Sequence, residues 1–264
     1  MYKDKNFYLN LFQANEAQLE RLASDGLKGG GSYCDLFFEN TSYNDLLLRD
    51  GIVSSGGFHI DYGVGIRVLK GEKTGYAYSE STDSNSIAEA ATAASKIAES
   101  RTGNAGAIQC KGLTPPRDRY PYGQDWRSTD ASLLVPWMEK LKEKINERDS
   151  RVVKVIVSFS GQVSDIMMFN SLGELTFETR PMGILSASVV FCQDGKIESK
   201  NSSRAYRLGT EMLSESLLDE IADSIVSGVD DRFAAKRPKG GQMPVGGRSF
   251  WYPAARSHGT CLRG

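Results

Sequence analysis

The amino-acid sequence predicts an α+β fold: two pseudo-repeated units, each a helix, an antiparallel meander and a closing helix, packed as one scaffold. Three observations predict it. Runs of β-branched and aromatic residues cut by turn residues occur twice, across 33–79 and again across 151–199. Both sets are bracketed by segments whose apolar residues recur at helical spacing. The halves also share a local pattern, "NDLLLRDGIV" with "GVGIRVLKGEKTGYAYS" paralleling "SDIMMFNSLGEL" with "GILSASVVFCQDGKIES". Chance recurrence of short motifs is the competing explanation.

Taken in order, Leu9–Leu27 sets Leu11, Leu19, Leu22 and Leu27 among Gln, Glu and Arg, an amphipathic helix ended by Gly29–Gly31. From Tyr33 the apolar runs are cut at "RDG", "SGG" and "KGEK", which predicts four or five antiparallel strands. "STDSNSIAEAATAASKIAES" opens with capping residues and continues with strong helix formers, predicting a helix from about Asn85 to Glu99. The stretch Arg101–Asp130 holds Gly103, Gly106, Pro115, Pro116 and Pro121 with few aliphatics and reads as a connector. Asp130 then caps a helix in "TDASLLVPWMEKLKEKINERDS". A second meander with turns at "SLGE" and "QDGK" follows, and "SESLLDEIADSIVSGV" closes the unit as a helix. The resulting divisions are 1–105 for the first α+β unit, 106–130 for the Pro/Gly-rich connector, 131–240 for the second unit and 241–264 for an aberrant tail.

The 264 residues carry 32 Lys and Arg against 33 Asp and Glu, a formal net charge of −1. That balance excludes bulk attraction to phosphate, so direct nucleic-acid binding is not expected. The cysteines Cys34, Cys110, Cys192 and Cys261 are scattered with no C-x-x-C pair, which suits a reducing compartment. The polar, acidic start is not a signal peptide, and no run approaches the roughly 20 apolar residues of a membrane span. The expectation is a soluble cytoplasmic protein with no membrane association.

No catalytic constellation assembles from the sequence. "GVGIRVLKGEKTG" fits neither dinucleotide-binding nor P-loop spacing, and Gly63 and Gly65 alternate within an apparent strand, where they permit a bulge or close packing. Asp50–Gly51 reads as a hairpin turn with a positive-φ pair. His59 has no second histidine nearby and reads as packed or solvent-facing, and no G-x-S-x-G occurs. Cys34 and Cys192 sit in strand-like apolar settings and are expected to be inert core thiols. His258 and Cys261, three apart, cannot fill a tetrahedral metal shell by themselves. Neither catalytic nor metal-ligating residues are therefore assigned.

The run from "DLFFE" through "LRDGIV", "GVGIRV" and "GEKTGYAY" into an Ala-rich helix resembles the N-terminal region of the TldD/PmbA family, the TldD branch most closely. Seven positions carry that motif: Asp50, Gly51, Gly63, Gly65, Arg67, Gly71 and Gly75. "KRPKGGQMPV" resembles the family at the approach to its central motif, so the resemblance runs from about Asp4 to Val245, roughly the first half of a member. It implies an intracellular zinc metallopeptidase that cleaves peptides or unfolded proteins as a homodimer or a TldD–PmbA heterodimer. An older family name implies modulation of DNA gyrase. The family's zinc helix, H-E-x-x-x-H, is absent from the sequence, so zinc is expected in the full-length family and not in this chain. With codons chosen at degenerate third positions, Trp251–Gly264 read one nucleotide later gives GILLHEAMGHAFE. The tail is thus expected to be an out-of-frame reading of that helix, with the slip between about Val245 and Phe250; a genuine natural tail is the alternative. The functional expectation is the scaffold part of a TldD-like peptidase cut short before its zinc helix. The alternative is a non-catalytic module pairing with a complete family member. Apolar surface left uncovered should make the chain associate.

Overall fold

Strand pairing begins at tight turns, and the sequence supplies one where it is easiest to read. Asp50 and Gly51 both take positive φ (50° and 90°), the geometry a two-residue hairpin needs to match the twist of its strands. They join β1 (Tyr33–Arg49) to β2 (Ile52–Lys70), and a turn through Gly71 continues into β3 (Lys73–Ser79). The second meander repeats this with β4 (Val152–Asn170), β5 (Leu175–Gln193) and β6 (Lys196–Tyr206), turning at the two places expected, Ser171–Glu174 and Asp194–Gly195. The structure is a computed structural model that describes residues 3–97, 108–110 and 121–236. It divides into a unit over residues 1–233 and a second from Ala234, of which 234–236 are described.

The two meanders join edge to edge. β1 and β4 pair antiparallel from Asp35↔Asn170 to Arg49↔Ile156, giving one six-stranded sheet in the order β3-β2-β1-β4-β5-β6. Sheet order is therefore symmetric about the β1–β4 pair, and the pseudo-repeat is built into a single layer.

Two expectations need correcting. The first meander has three strands, two long and one short, not four or five. "SGG" does not cut β2, because Ser55, Gly56 and Gly57 stay in register with Leu47, Leu46 and Asp45. A bulge at Leu47/Leu48 absorbs the one odd residue, so ladder hydrogen bonds override the turn-like composition. The N-terminal helix is two helices, α1 (Lys5–Leu11) and α2 (Glu16–Leu27). Each has its own cap: Asp4 accepts from the Phe7 amide at 2.9 Å, and Asn15 forms a reciprocal capping box with Gln18. The helix predicted from about Asn85 to Glu99 is present as α3 (Ser84–Ile97), with Asp83 accepting from the Asn85 and Ser86 amides at its start; residues 98 and 99 lie outside the described residues.

The remaining helices are α4 (Ala131–Arg148), capped by Asp130 as expected, α5 (Glu215–Val226) and α6 (Val229–Ala234). β1 shows how helices and sheet divide the core. Its even-numbered Leu36 and Phe38 pack beneath α2 and α3 with Leu19, Ile66 and Phe169. Leu46 and Leu48, on the same face, pack beneath α4 and α5 with Leu141, Ile221 and Phe191. α4 and α5 are also zipped by Lys140–Glu215, Lys144–Asp219 and Arg148–Asp223 pairs. Within the stretch read as a connector, Trp126 is 0% exposed and donates through Nε1 to the Leu208 carbonyl at 2.9 Å. Its ring lies over Gly183, where an added Cβ would come within 2.6 Å of it, and that glycine is the space the indole needs. Residues 101–107 and 111–120 of the stretch lie outside the described residues.

Candidate functional site

Among the described residues helices take only one face of the sheet, and the odd-numbered residues of β1 point to the other, helix-free face. Asp35, Phe37, Glu39, Thr41, Tyr43 and Asp45 run along this second face opposite Arg67, Gly65, Gly63, Asp61, His59 and Gly57 of β2. Asp35 is buried and receives the Arg67 guanidinium through Nη2 at 2.5 Å and Nε at 3.1 Å, which holds Arg67 above its ordinary pKa. Next along the strand come the two glycines. Beside them lies a trough of about 210 Å³, lined by Phe37 of β1 and Tyr76 and Tyr78 of β3. An added Cβ would fall 2.5 Å from the Ser79 carbonyl at Gly63 and 2.8 Å from the Tyr76 hydroxyl at Gly65. Further on, Tyr43 and His59 stack nearly parallel with centroids 4.3 Å apart. Burial, reinforced by Asp61, raises the Tyr43 phenol above its ordinary value. A second trough of about 480 Å³ follows, lined by Asp45, Ser55, Gly57, Ser160, Ile184 and Ser186.

The seven motif positions thus fall in three places. Gly63, Gly65 and Arg67 share the helix-free face. Asp50 and Gly51 lie at the far end of the β1–β2 hairpin, where Asp50 extends the sheet: its Oδ1 accepts from the Val155 amide and its own amide donates to the Val155 carbonyl, both at 2.9 Å. Gly71 makes the β2–β3 turn with φ 56°, and Gly75 is buried opposite Val68. The arrangement brings the second group together with Lys142, which donates to the Asp50 carbonyl, and does not bring it near the first.

Sequence reading missed a buried ionic cluster on the helix side. Asp165 of β4 is 0% exposed and accepts from Lys3 Nζ at 2.7 Å, Arg127 Nη1 at 2.5 Å and Thr179 Oγ1 at 2.5 Å. Tyr8 donates in turn to Thr179 at 2.8 Å, and burial pushes its phenol up. Asp125 pairs with the other edge of Arg127. The signal was a lone carboxylate in an apolar strand at a core-facing position, but its charged partners are 162 and 38 residues away in sequence.

Cys34 is buried and its thiol is pushed up to about 12 by desolvation, so it stays protonated; Cys192 is half-buried. Among the described residues no group of three or more His, Cys, Asp or Glu is placed to hold a metal ion. Also among them, no helix is long and apolar enough to cross a membrane. His258, Cys261 and the tail expected to be out of frame lie outside the described residues.

Comparison with known proteins defines the class first. Residues 34–98 match the family model for PmbA/TldA metallopeptidase domain 1, and residues 124–231 match the PmbA/TldA metallopeptidase central domain. A metalloprotease TldD homolog of Haemophilus influenzae is 31% identical over 183 residues, 69% of this chain and 38% of the relative. Among solved structures, a proposed modulator of DNA gyrase from Thermotoga maritima superposes with a TM-score of 0.62 at 19% identity, over 88% of this chain and 50% of that one. TldE from Thermococcus kodakarensis gives 0.60 at 16% identity, over 81% and 47%. The chain belongs to the TldD/PmbA metalloprotease family and corresponds to its N-terminal region. It spans about half the length of these solved structures and 38% of the Haemophilus relative.

Proposed function

We propose that the chain is the N-terminal scaffold of a TldD-like zinc metallopeptidase acting on peptides or unfolded proteins, with the zinc held by an H-E-x-x-x-H helix in a continuation of the polypeptide. The observation that carries this reading is the pair of consecutive family-domain matches, one for each half of a single continuous sheet. The described residues do not fit the metal. Their one histidine is stacked on Tyr43 and no three-donor group exists among them, so no hydrolytic step is assigned to them. Their role is to shape and wall a substrate space, and the seven motif positions serve backbone geometry and packing. In this reading the protein works in the cytoplasm as a homodimer or a TldD–PmbA heterodimer and contacts neither nucleic acid nor membrane. Sequencing the coding DNA through and beyond codon 264, with the mass of the endogenous protein, tests it. A continuing frame that restores the zinc helix supports the proposal. A stop codon with no such helix in any frame overturns it.

One observation favours a second reading, a non-catalytic module that pairs with a complete family member. Residues 52–61 of β2 are all exposed, and β3 pairs with β2 from Val64 onward. Among the described residues no strand pairs with this edge, which carries Ile52, Val53, Phe58 and Ile60, a ready template for another strand. A short, metal-free endogenous polypeptide bound to a full-length family member would establish that reading.

A further inference from the structure

The trough beside Gly63 and Gly65 has the composition of a cation site. Tyr76 and Tyr78 stand on β3 beside it at 58% and 70% exposure, far more than large aromatic side chains show when they only fill a core. Phe37 supplies the opposite wall, and Glu39, Asp61 and Glu80 complete the lining. Among the described residues none of these carboxylates is in an ion pair. Glu39 accepts from the Thr41 hydroxyl at 2.5 Å, and Asp61 interacts with Tyr43. The neighbouring cation, Arg67, is already taken by Asp35 and leaves the trough's negative charge uncancelled. A space of about 210 Å³ is below the roughly 300–1,000 Å³ of sites for whole small molecules and suits one side chain. Aromatic faces attract a cation through the ring quadrupole, and carboxylates at the rim add charge complementarity.

We infer that this trough receives an arginine or lysine side chain of an extended polypeptide. The occupant's positive head lies against Tyr76, Tyr78 and the three carboxylates, and its aliphatic stem lies along the Phe37 wall. The inference rests on the peptide-handling reading above and gives it a substrate preference, toward basic segments.

The test uses the 264-residue chain with 13C-labelled tyrosine rings, titrated in NMR with acetyl-Ser-Gly-Arg-Gly-Ser-amide and with the same peptide carrying citrulline, the neutral isostere of arginine. The expected result is shifts of the Tyr76 and Tyr78 ring signals and at least about five-fold tighter binding of the arginine peptide. Glu80→Gln, Asp61→Asn and Tyr78→Leu alter exposed side chains, so the fold survives, and each should weaken the arginine peptide about two- to five-fold. Equal affinity for the two peptides, binding unchanged in all three variants, or no binding of either peptide overturns the inference. Chelator-sensitive peptide cleavage by the complete gene product is measured separately. Loss of the charge preference with cleavage intact therefore sinks the trough and leaves the peptidase reading standing.

Discussion

Replacing Asp165 with alanine should be among the most damaging single changes in the unit over residues 1–233. The carboxylate is fully buried and holds three donors, so its removal strands Lys3 and Arg127 around a space with no anion. Breaking a buried ion pair from one side costs about 3–5 kcal/mol. Two features move this case to the low end. Arg127 keeps Asp125 at 2.8 Å, and the Arg127 and Lys3 side chains retain 24% and 16% exposure, enough for water to solvate part of each charge. The expected loss is therefore about 3 kcal/mol for Asp165→Ala, and about 2 kcal/mol for Asp165→Asn, whose amide oxygen can still accept from Thr179. Lys3→Ala, which leaves Asp165 paired with Arg127, should cost about 1 kcal/mol. Urea unfolding followed by tryptophan fluorescence reads these values. At a slope of about 3 kcal/mol per molar urea, the alanine variant's midpoint falls by about 1 M. A loss under about 0.5 kcal/mol for Asp165→Ala would mean that the cluster is a solvated surface feature, and a larger loss for Lys3→Ala would mean that Asp165 is not its centre; either result would refute the reasoning.

Other outcomes follow from the same contacts. Trp126→Ala removes a fully buried indole packed on Phe159 and should cost about 3–5 kcal/mol in the same assay. Gly51→Ala forces a Cβ into φ 90° and should cost about 1–2 kcal/mol, seen as a lowered Tm. Asp219 and Glu215 are held below their ordinary values of 3.8 and 4.5, Asp219 by hydrogen bonds from Lys144 and Arg148 and Glu215 by hydrogen bonds from Lys140 and Lys144. Their contribution is complete above about pH 4.5 and is lost as pH falls through the lowered values, so Asp219→Asn with Glu215→Gln should flatten the acid limb of a stability–pH curve. The chain should self-associate through the free edge of β2, and Phe58→Lys with Ile60→Lys should return it to monomer in sedimentation. A wild-type chain that is monomeric at high concentration would contradict that.

What the sequence made legible was local. Asp50–Gly51 and Asp194–Gly195 announce hairpins because few residue pairs tolerate two positive φ values, and Asp130 announces a helix start because its side chain replaces a missing backbone acceptor. The break between α1 and α2 was equally local but lay hidden in polar residues, Asp4 and Asn15, that also suit a helix surface. What could not be read was non-local. "SGG" looks like a turn until β1 supplies a partner for every one of its residues. The parallel drawn between "NDLLL" and "SDIMM" equates Asp45 with Asp165, yet Asp45 lines the helix-free trough and Asp165 is buried under the helices. A pattern offset by one residue in a strand exchanges faces, and sequence similarity this weak does not fix the offset. For the candidate site, the glycines were visible as unusual, but their meaning depends on Tyr76 and Phe37 arriving from neighbouring strands.

If this fold is the front half of a metal-dependent peptidase, the complete product of the gene, purified from its native cell, should hold metal and hydrolyse peptides in a chelator-sensitive way, and both are measured on the same preparation. About one zinc per subunit, with cleavage of unfolded peptide abolished by a chelator and restored by zinc, is the predicted result. A stable, metal-free product with no hydrolysis of any unfolded peptide would contradict it.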